Sequence, residues 1–299
     1  MIHPYLLHLL VLIGIWGILA MSLNLAMGVT GLMQVAHAAF FGIGAYASAL
    51  LVLKLGFPFW AALLAAGVVA ACFGFLLGLP TLRLRGDYLA LGTLGFAVVV
   101  ESVFRNWISL TRGPAGLPGI PKASLFGIAF TDPLSSFALV AGITLLTFLL
   151  LQRLVKSPFG LVLKAIREDE VAAQVLGKNI VSCKLQALTI SAFFAGIAGS
   201  LYAHYITFIN PDAFGLLDVV LIISMLVVGG QGSMGGSLLG AAILILLPEP
   251  LRFIGLPGSM VGAVRQLLYA ALLVFLIVRR PQGVWGEATV SHEKRGARG

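Results

Sequence analysis

Residues 57–82 read FPFWAALLAAGVVAACFGFLLGLPTL, 26 positions without a single Asp, Glu, Lys or Arg. An α-helix rises 1.5 Å per residue, so about 20 predominantly apolar residues cross the hydrocarbon core of a bilayer. Residues 6–27 and 133–151 are equally free of charge. Apolar residues make up 60% of the 299-residue chain and charged ones 10%, which leaves no stretch able to form a separate soluble domain. The expected fold is therefore all-α, a polytopic bundle of membrane helices.

Working outward from that run, apolar segments fall near 6–28, 33–53, 57–79, 88–108, 133–152, 185–208, 216–230, 236–250 and 263–278. That gives eight to nine spans. The 216–230 and 236–250 segments are short enough to be half-helices or a re-entrant hairpin, and 33–53 carries Gln34 and His37 near its start. Lys and Arg accumulate on the cytoplasmic side of membrane proteins. With nine alternating spans, 13 of the 19 basic residues, from Arg83 through the 153–184 region to Arg298, share one side. The N-terminus is then expected outside and the C-terminus inside. Counting 216–250 as re-entrant changes nothing here, because it removes an even number of crossings. The same distribution accounts for the net charge of +8, so nucleic acid is not expected as a partner. The opening MIHPYLLHLL lacks the basic n-region of a signal peptide, and its apolar run is expected to be retained as a helix. Cys72 and Cys183 are the only cysteines, one in an apolar run and one in a polar loop, so no disulfide is expected.

Charge is concentrated in one place. Residues 153–184 hold nine of the 30 charged side chains and form a long loop on the cytoplasmic side. Ser157-Pro158 reads as a helix start and Gly177 as a stop, with Ile166, Glu170 and Ala173 spaced to share one face. Arg167, Glu168, Asp169 and Glu170 supply polar handles. Two readings stand: a helix that docks in a groove of a soluble partner, or an amphipathic helix lying on the inner leaflet. Three consecutive acids facing anionic lipid count against the second.

The segment from Glu170 through Ala172 and Ala173 to Gly177 resembles the EAA loop of ABC-importer permeases, with one residue inserted after the Glu. Ser22-Leu-Asn24-Leu25, Gly31-Leu32 and the run from His37 through Phe40, Gly42 and Gly44 to Tyr46 are similar to branched-chain amino acid permeases of the LivH/LivM family. Residues 84–96 (LRGDYLALGTLGF), 165–170 (AIREDE), 229–233 (GGQGS) and 280–283 (RPQG) resemble its LivM branch. The likeness implies a single permease domain over 1–283, followed by a polar, disordered cytoplasmic tail at 284–299. It implies an inner-membrane importer subunit for branched-chain amino acids or related small amides. A second LivH-like permease, two cytoplasmic ATP-binding subunits and an extracytoplasmic solute-binding protein would complete it. Arg167, Glu168, Asp169, Glu170, Ala172, Ala173 and Gly177 would face the ATPase. No phosphate-loop pattern GxxxxGK[ST] occurs, so ATP is expected on another chain and the permease itself is expected to be neither an enzyme nor a cofactor carrier.

Within the membrane, Glu101 precedes Arg105 by four residues, the spacing of an intrahelical ion pair. Such a pair orients a helix or serves a gate, and ionisable residues at this depth are functional candidates by default. Asn24, Gln34 and His37 either line a pathway or hydrogen-bond backbone freed near the Gly28–Gly31 joint. Arg83, Arg85 and Asp87 read as an interfacial anchor or a second partner contact. The Gly- and Pro-rich loop 109–132 is a flexible connector or an ordered docking cap. A secondary transporter would show inverted repeats with matched broken helices. No such repeat is evident. The five histidines form no metal-ligand spacing.

Overall fold

The computed structural model describes residues 4–82, 84, 86–125, 128–250, 258–279 and 283–285. Helix α1 (Pro4–Leu23) continues into a π-helical turn at Asn24–Val29, and after a non-helical segment α2 covers His37–Leu55. Then follow α3 (Phe59–Thr81), α4 (Asp87–Asn106), a single turn α5 (Ile108–Thr111) and α6 (Pro133–Lys156). The charged loop holds α7 (Pro158–Glu168) and α8 (Glu170–Val175). The chain closes with α9 (Ile180–Ile206), α10 (Leu216–Gly229), α11 (Met234–Leu246) and α12 (Gly258–Arg279).

Among the described residues, seven helical stretches are long and apolar enough to cross a membrane: Pro4–Val29, His37–Leu55, Phe59–Thr81, Asp87–Asn106, Pro133–Lys156, Ile180–Ile206 and Pro211–Gly229. The last reaches 19 residues because a 3-10 turn at Pro211–Phe214 precedes α10, a gain the apolar pattern from 216 onward does not reveal. At 13 residues α11 is about 20 Å long, short of the ~30 Å core. The expected 263–278 span corresponds to the 22-residue α12.

Helix α9 is the axis of the bundle, packed against α2 and α3. Its approach is set by small residues. An ideal Cβ built on Gly199 would lie 2.1 Å from the Phe41 carbonyl oxygen, and one on Gly44 would lie 2.3 Å from the Cα of Gly196. Close backbone contact of this kind supplies the dispersion that holds helices together where lipid offers no hydrophobic drive. Outward-facing positions on α3, α4 and α6, such as Leu76, Val99 and Leu146, are exposed leucine and valine, as a lipid-facing surface requires.

At one end of the bundle α7 meets the π-turn of α1. Residues 283–285 lie at this end too, since Val284 N–H donates to Val228 O at 2.9 Å and Trp285 N–H to Gly229 O at 3.0 Å. The charged loop and the beginning of the C-terminal segment thus share an end, as two segments on one side of a membrane must. At the other end the described residues of loop 109–132 form short strands. Strand β1 (Leu117–Pro118) pairs antiparallel with β4 (Phe208–Ile209), and β2 (Ser124–Leu125) with β3 (Ile128–Ala129). Leu117 and Ile120 are buried, and His204 Nδ1–H donates to Pro121 O at 2.7 Å. His204 Nε2 then accepts from Ser48 Oγ at 2.9 Å, which fixes the tautomer. These ties lay the 112–125 part of the loop over this end of the bundle.

Candidate coupling and polar sites

The charged loop begins as its sequence indicates. Ser157 Oγ accepts from Gly160 N–H at 3.3 Å and Pro158 occupies the first helical position. Leu163 and Ile166 are buried on the inner face of α7. The single helix expected between 158 and 177 is instead broken at Asp169, whose backbone is extended (φ −153°, ψ 107°). Its carboxylate accepts from Val171 N–H at 2.8 Å and Ala172 N–H at 3.0 Å, capping α8. An Asp between two short helical runs satisfies freed N–H groups better by capping than by continuing the helix. Asp169 is therefore a cap as well as a surface charge.

The break also corrects the shared face. Ile166 and Ala173 are buried, while Glu170 is exposed and pairs with Lys184 at 2.5 Å. Gly177, at φ +76°, ends the segment in the left-handed conformation, and Lys178 N–H closes back on Ala173 O at 3.2 Å. What points outward is Val171, Val175 and Leu176, the last two 82% and 77% exposed. Glu168 and Ala172 are exposed beside them. The spacing argument put Ile166, Glu170 and Ala173 on one face of a continuous helix; the break at Asp169 instead leaves an exposed apolar knob at the end of a six-residue helix.

Arg167 faces the bundle. Its guanidinium donates to the Gly28 carbonyl and its stem lies over Gly31, where an added Cβ would meet Cγ at 3.2 Å. A π-turn leaves backbone carbonyls without their usual i+4 partner. Arg167 supplies one.

Asn24 sits in the same π-turn, fully buried. Its Nδ2 donates to Ser233 O at 2.8 Å and Ser237 Oγ at 2.6 Å, and its Oδ1 accepts from Gly232 N–H at 2.9 Å. One amide thus holds the loop between α10 and α11 against α1. His37 starts α2, with Nδ1 accepting from Gln34 Nε2 at 3.0 Å and Nε2 3.1 Å from Leu19 O and 2.8 Å from Ser22 Oγ. That pattern assigns the proton to Nε2. Gln34 Oε1 is buried without a hydrogen-bond partner. Asn24 and His37 hydrogen-bond to backbone, while Gln34 reaches only the His37 ring, and all three are buried inside the chain.

Glu101 and Arg105 do pair, with Arg105 Nη2 2.8 Å from Glu101 Oε1. The same nitrogen reaches Asp212 Oδ1 at 2.8 Å, joining α4 to the turn before α10, a partner that no local spacing announces. Asp87 is the first residue of α4, where an acid suits the helix N-terminus. Arg83 and Arg85 lie outside the described residues, as do 280–282 and 286–299 of the C-terminal segment. Cys72 and Cys183 are free thiols. Among the described residues no group of three or more His, Cys, Asp and Glu could hold a metal ion.

Residues 5–277 match the protein family described as branched-chain amino acid transport system / permease component. The chain is 37% identical over 293 residues to the high-affinity branched-chain amino acid transport system permease protein LivM of Salmonella typhimurium. The LivM protein of Escherichia coli K12 shows the same identity, and each alignment covers 90% of this chain and 67% of the relative. The LivH permease protein of Escherichia coli K12 is 25% identical over 295 residues, 92% of both chains. No solved structure matches.

Proposed function

The chain belongs to the branched-chain amino acid transport permease family, and from that premise we propose that it is one membrane subunit of an ATP-driven importer. The family makes it a transport permease rather than an enzyme, and its apolar helices make it a multi-pass membrane protein. The cargo is branched-chain amino acids or related small amides, and the membrane is the bacterial inner membrane. Residues 1–283 act as one permease domain, and 284–299 as a polar cytoplasmic tail. A LivH-like permease pairs with it, two ATP-binding subunits sit below the 153–184 loop, and a solute-binding protein delivers cargo at the opposite face. Both LivM and LivH are named as permease proteins of high-affinity branched-chain amino acid transport systems in the relatives, which supports a two-permease assembly.

One observation carries the coupling role. Helix α8 projects Val171, Val175 and Leu176 outward while Arg167, one helix earlier, is bonded to the π-turn of α1. A groove in the ATPase would take the three apolar side chains, with Glu168, Glu170 and Ala172 at its rim. Ala173 and Gly177 shape the helix, and Asp169 caps it. Closure of the ATPases on ATP would push on α8, and α7 would pass the displacement to α1.

The test is co-purification from detergent-solubilised membranes of wild type and of a Val175→Glu/Leu176→Glu variant. Burying two such side chains is worth about 1.5–3 kcal/mol each, so ATPase affinity should fall by at least ~100-fold. Neither side chain packs in the core, so insertion and thermal stability should be retained. An ATPase still held at wild-type yield by the variant would remove α8 from the interface. Absence of any ATPase from the wild-type complex, even after crosslinking, would remove the importer reading itself.

A further inference from the structure

Helices α10 and α12 leave a cleft of about 490 Å³ between them, within the size range of small-molecule sites. Leu217, Leu221 and Val274 form apolar walls, and Asp218, Gln266 and Tyr269 bring polar groups to the same space. Asp218 is in the first turn of α10, where an acid complements the helix N-terminus. That accounts for an acid at this position, yet not for its opening into a cleft with apolar walls. Asp218 has no ion pair with any described cation. Arg105 is already shared between Glu101 and Asp212. An acid without a described ion pair, in a cleft with apolar walls, suits a cationic group.

We infer that this cleft receives the cargo, with Asp218 holding the ammonium of an aliphatic α-amino acid and the leucine and valine walls taking its side chain. The inference rests on the branched-chain amino acid reading and deepens it by naming a contact residue. An uncharged amide lacks the group Asp218 requires, so the cleft selects amino acids over amides. Carboxylate–ammonium contact is charge-assisted and gains strength where water is scarce. Gln266 contributes a further polar contact on the facing helix. A single methylene changes binding by only ~1–3 kcal/mol, so the apolar walls accept leucine, isoleucine and valine alike.

Only two native cysteines need replacing, which makes thiol labelling direct. A Cys72→Ala/Cys183→Ser/Gln266→Cys chain, assembled with its partner subunits in proteoliposomes, would be labelled with methanethiosulfonates bearing trimethylammonium or sulfonate. The cationic reagent should react about 10-fold faster, and millimolar leucine should slow it. In the Asp218→Asn background, which keeps the side-chain shape and a capping oxygen, both the preference and the leucine protection should vanish. Equal rates for the two reagents, no reaction at all, or a preference that survives Asp218→Asn would overturn the inference. Leucine uptake by the same vesicles separates the two failures. Normal uptake with an unselective Gln266→Cys site sinks the cleft alone, whereas absence of branched-chain amino acid uptake by the wild-type assembly sinks the cargo assignment.

Discussion

Gly199→Ala is expected to lower the apparent melting temperature of the detergent-solubilised protein by roughly 6–12 °C, the shift that a loss of about 3 kcal/mol brings in a chain of this size. The added Cβ would lie 2.1 Å from Phe41 O and 2.7 Å from Ala45 N, both backbone atoms of α2. Neither can swing aside as a side-chain tip would. The two helices must separate, and every contact along α2 and α9 loosens with them. Overpacking a core usually costs ~1–3 kcal/mol, and a clash with backbone belongs at the upper end. Gly142 in α6 is the internal control. Nothing lies within 4 Å of its ideal Cβ, so Gly142→Ala should be neutral or gain up to ~1 kcal/mol from helix propensity. If the two variants melt alike, close packing of α2 on α9 is not what limits stability.

Asn24→Leu is expected to cut leucine uptake by 10-fold or more while the ATPase still co-purifies. The change strips partners from Gly232 N–H, Ser233 O and Ser237 Oγ at once. A buried donor left unpaired costs ~1–3 kcal/mol, although interhelical hydrogen bonds in membranes average nearer ~0.6 kcal/mol. The melting shift should thus be smaller than for Gly199→Ala. The larger effect falls on transport, because Asn24 ties the Arg167-bonded π-turn to the loop that joins α10 and α11. Arg167→Ala probes the other side of the same link. If one mechanical connection runs through both residues, the double variant should transport no worse than the poorer single variant. Multiplying deficits would mean two independent roles, and uptake within twofold of wild type in Asn24→Leu would end the argument.

How far the sequence reached depends on the distance over which each signal acts. The membrane fold was legible because uninterrupted apolar runs such as 57–82 admit almost no alternative. Ser157 and Gly177 were legible because capping is local chemistry. The i,i+4 pair of Glu101 with Arg105 was legible for the same reason. The capping role of Asp169 was not legible, because an Asp inside an amphipathic pattern reads as a surface charge until its carboxylate is seen capping the next turn. Asn24 was singled out, but its partners lie more than 200 residues away, and no spacing rule reaches them. The Asp212 contact with Arg105 and the cleft beside Asp218 also arise from tertiary packing alone.

The cap over the far end of the bundle carries a consequence for how the protein is made. Leu117 pairs with Ile209, Ile120 N–H donates to Thr207 O, and Pro121 O accepts from His204, so each tie waits for the end of α9. About 90 residues separate the paired strands; at synthesis rates of ~5–20 residues per second, roughly 5–20 s pass between their appearances. During that interval the 109–132 segment stands outside its docking site with Leu117 and Ile120 uncovered. The nascent permease therefore passes through a stage in which this loop is open to proteases on its side of the membrane. Protection of the loop would mark, in real time, the moment α9 completes its crossing.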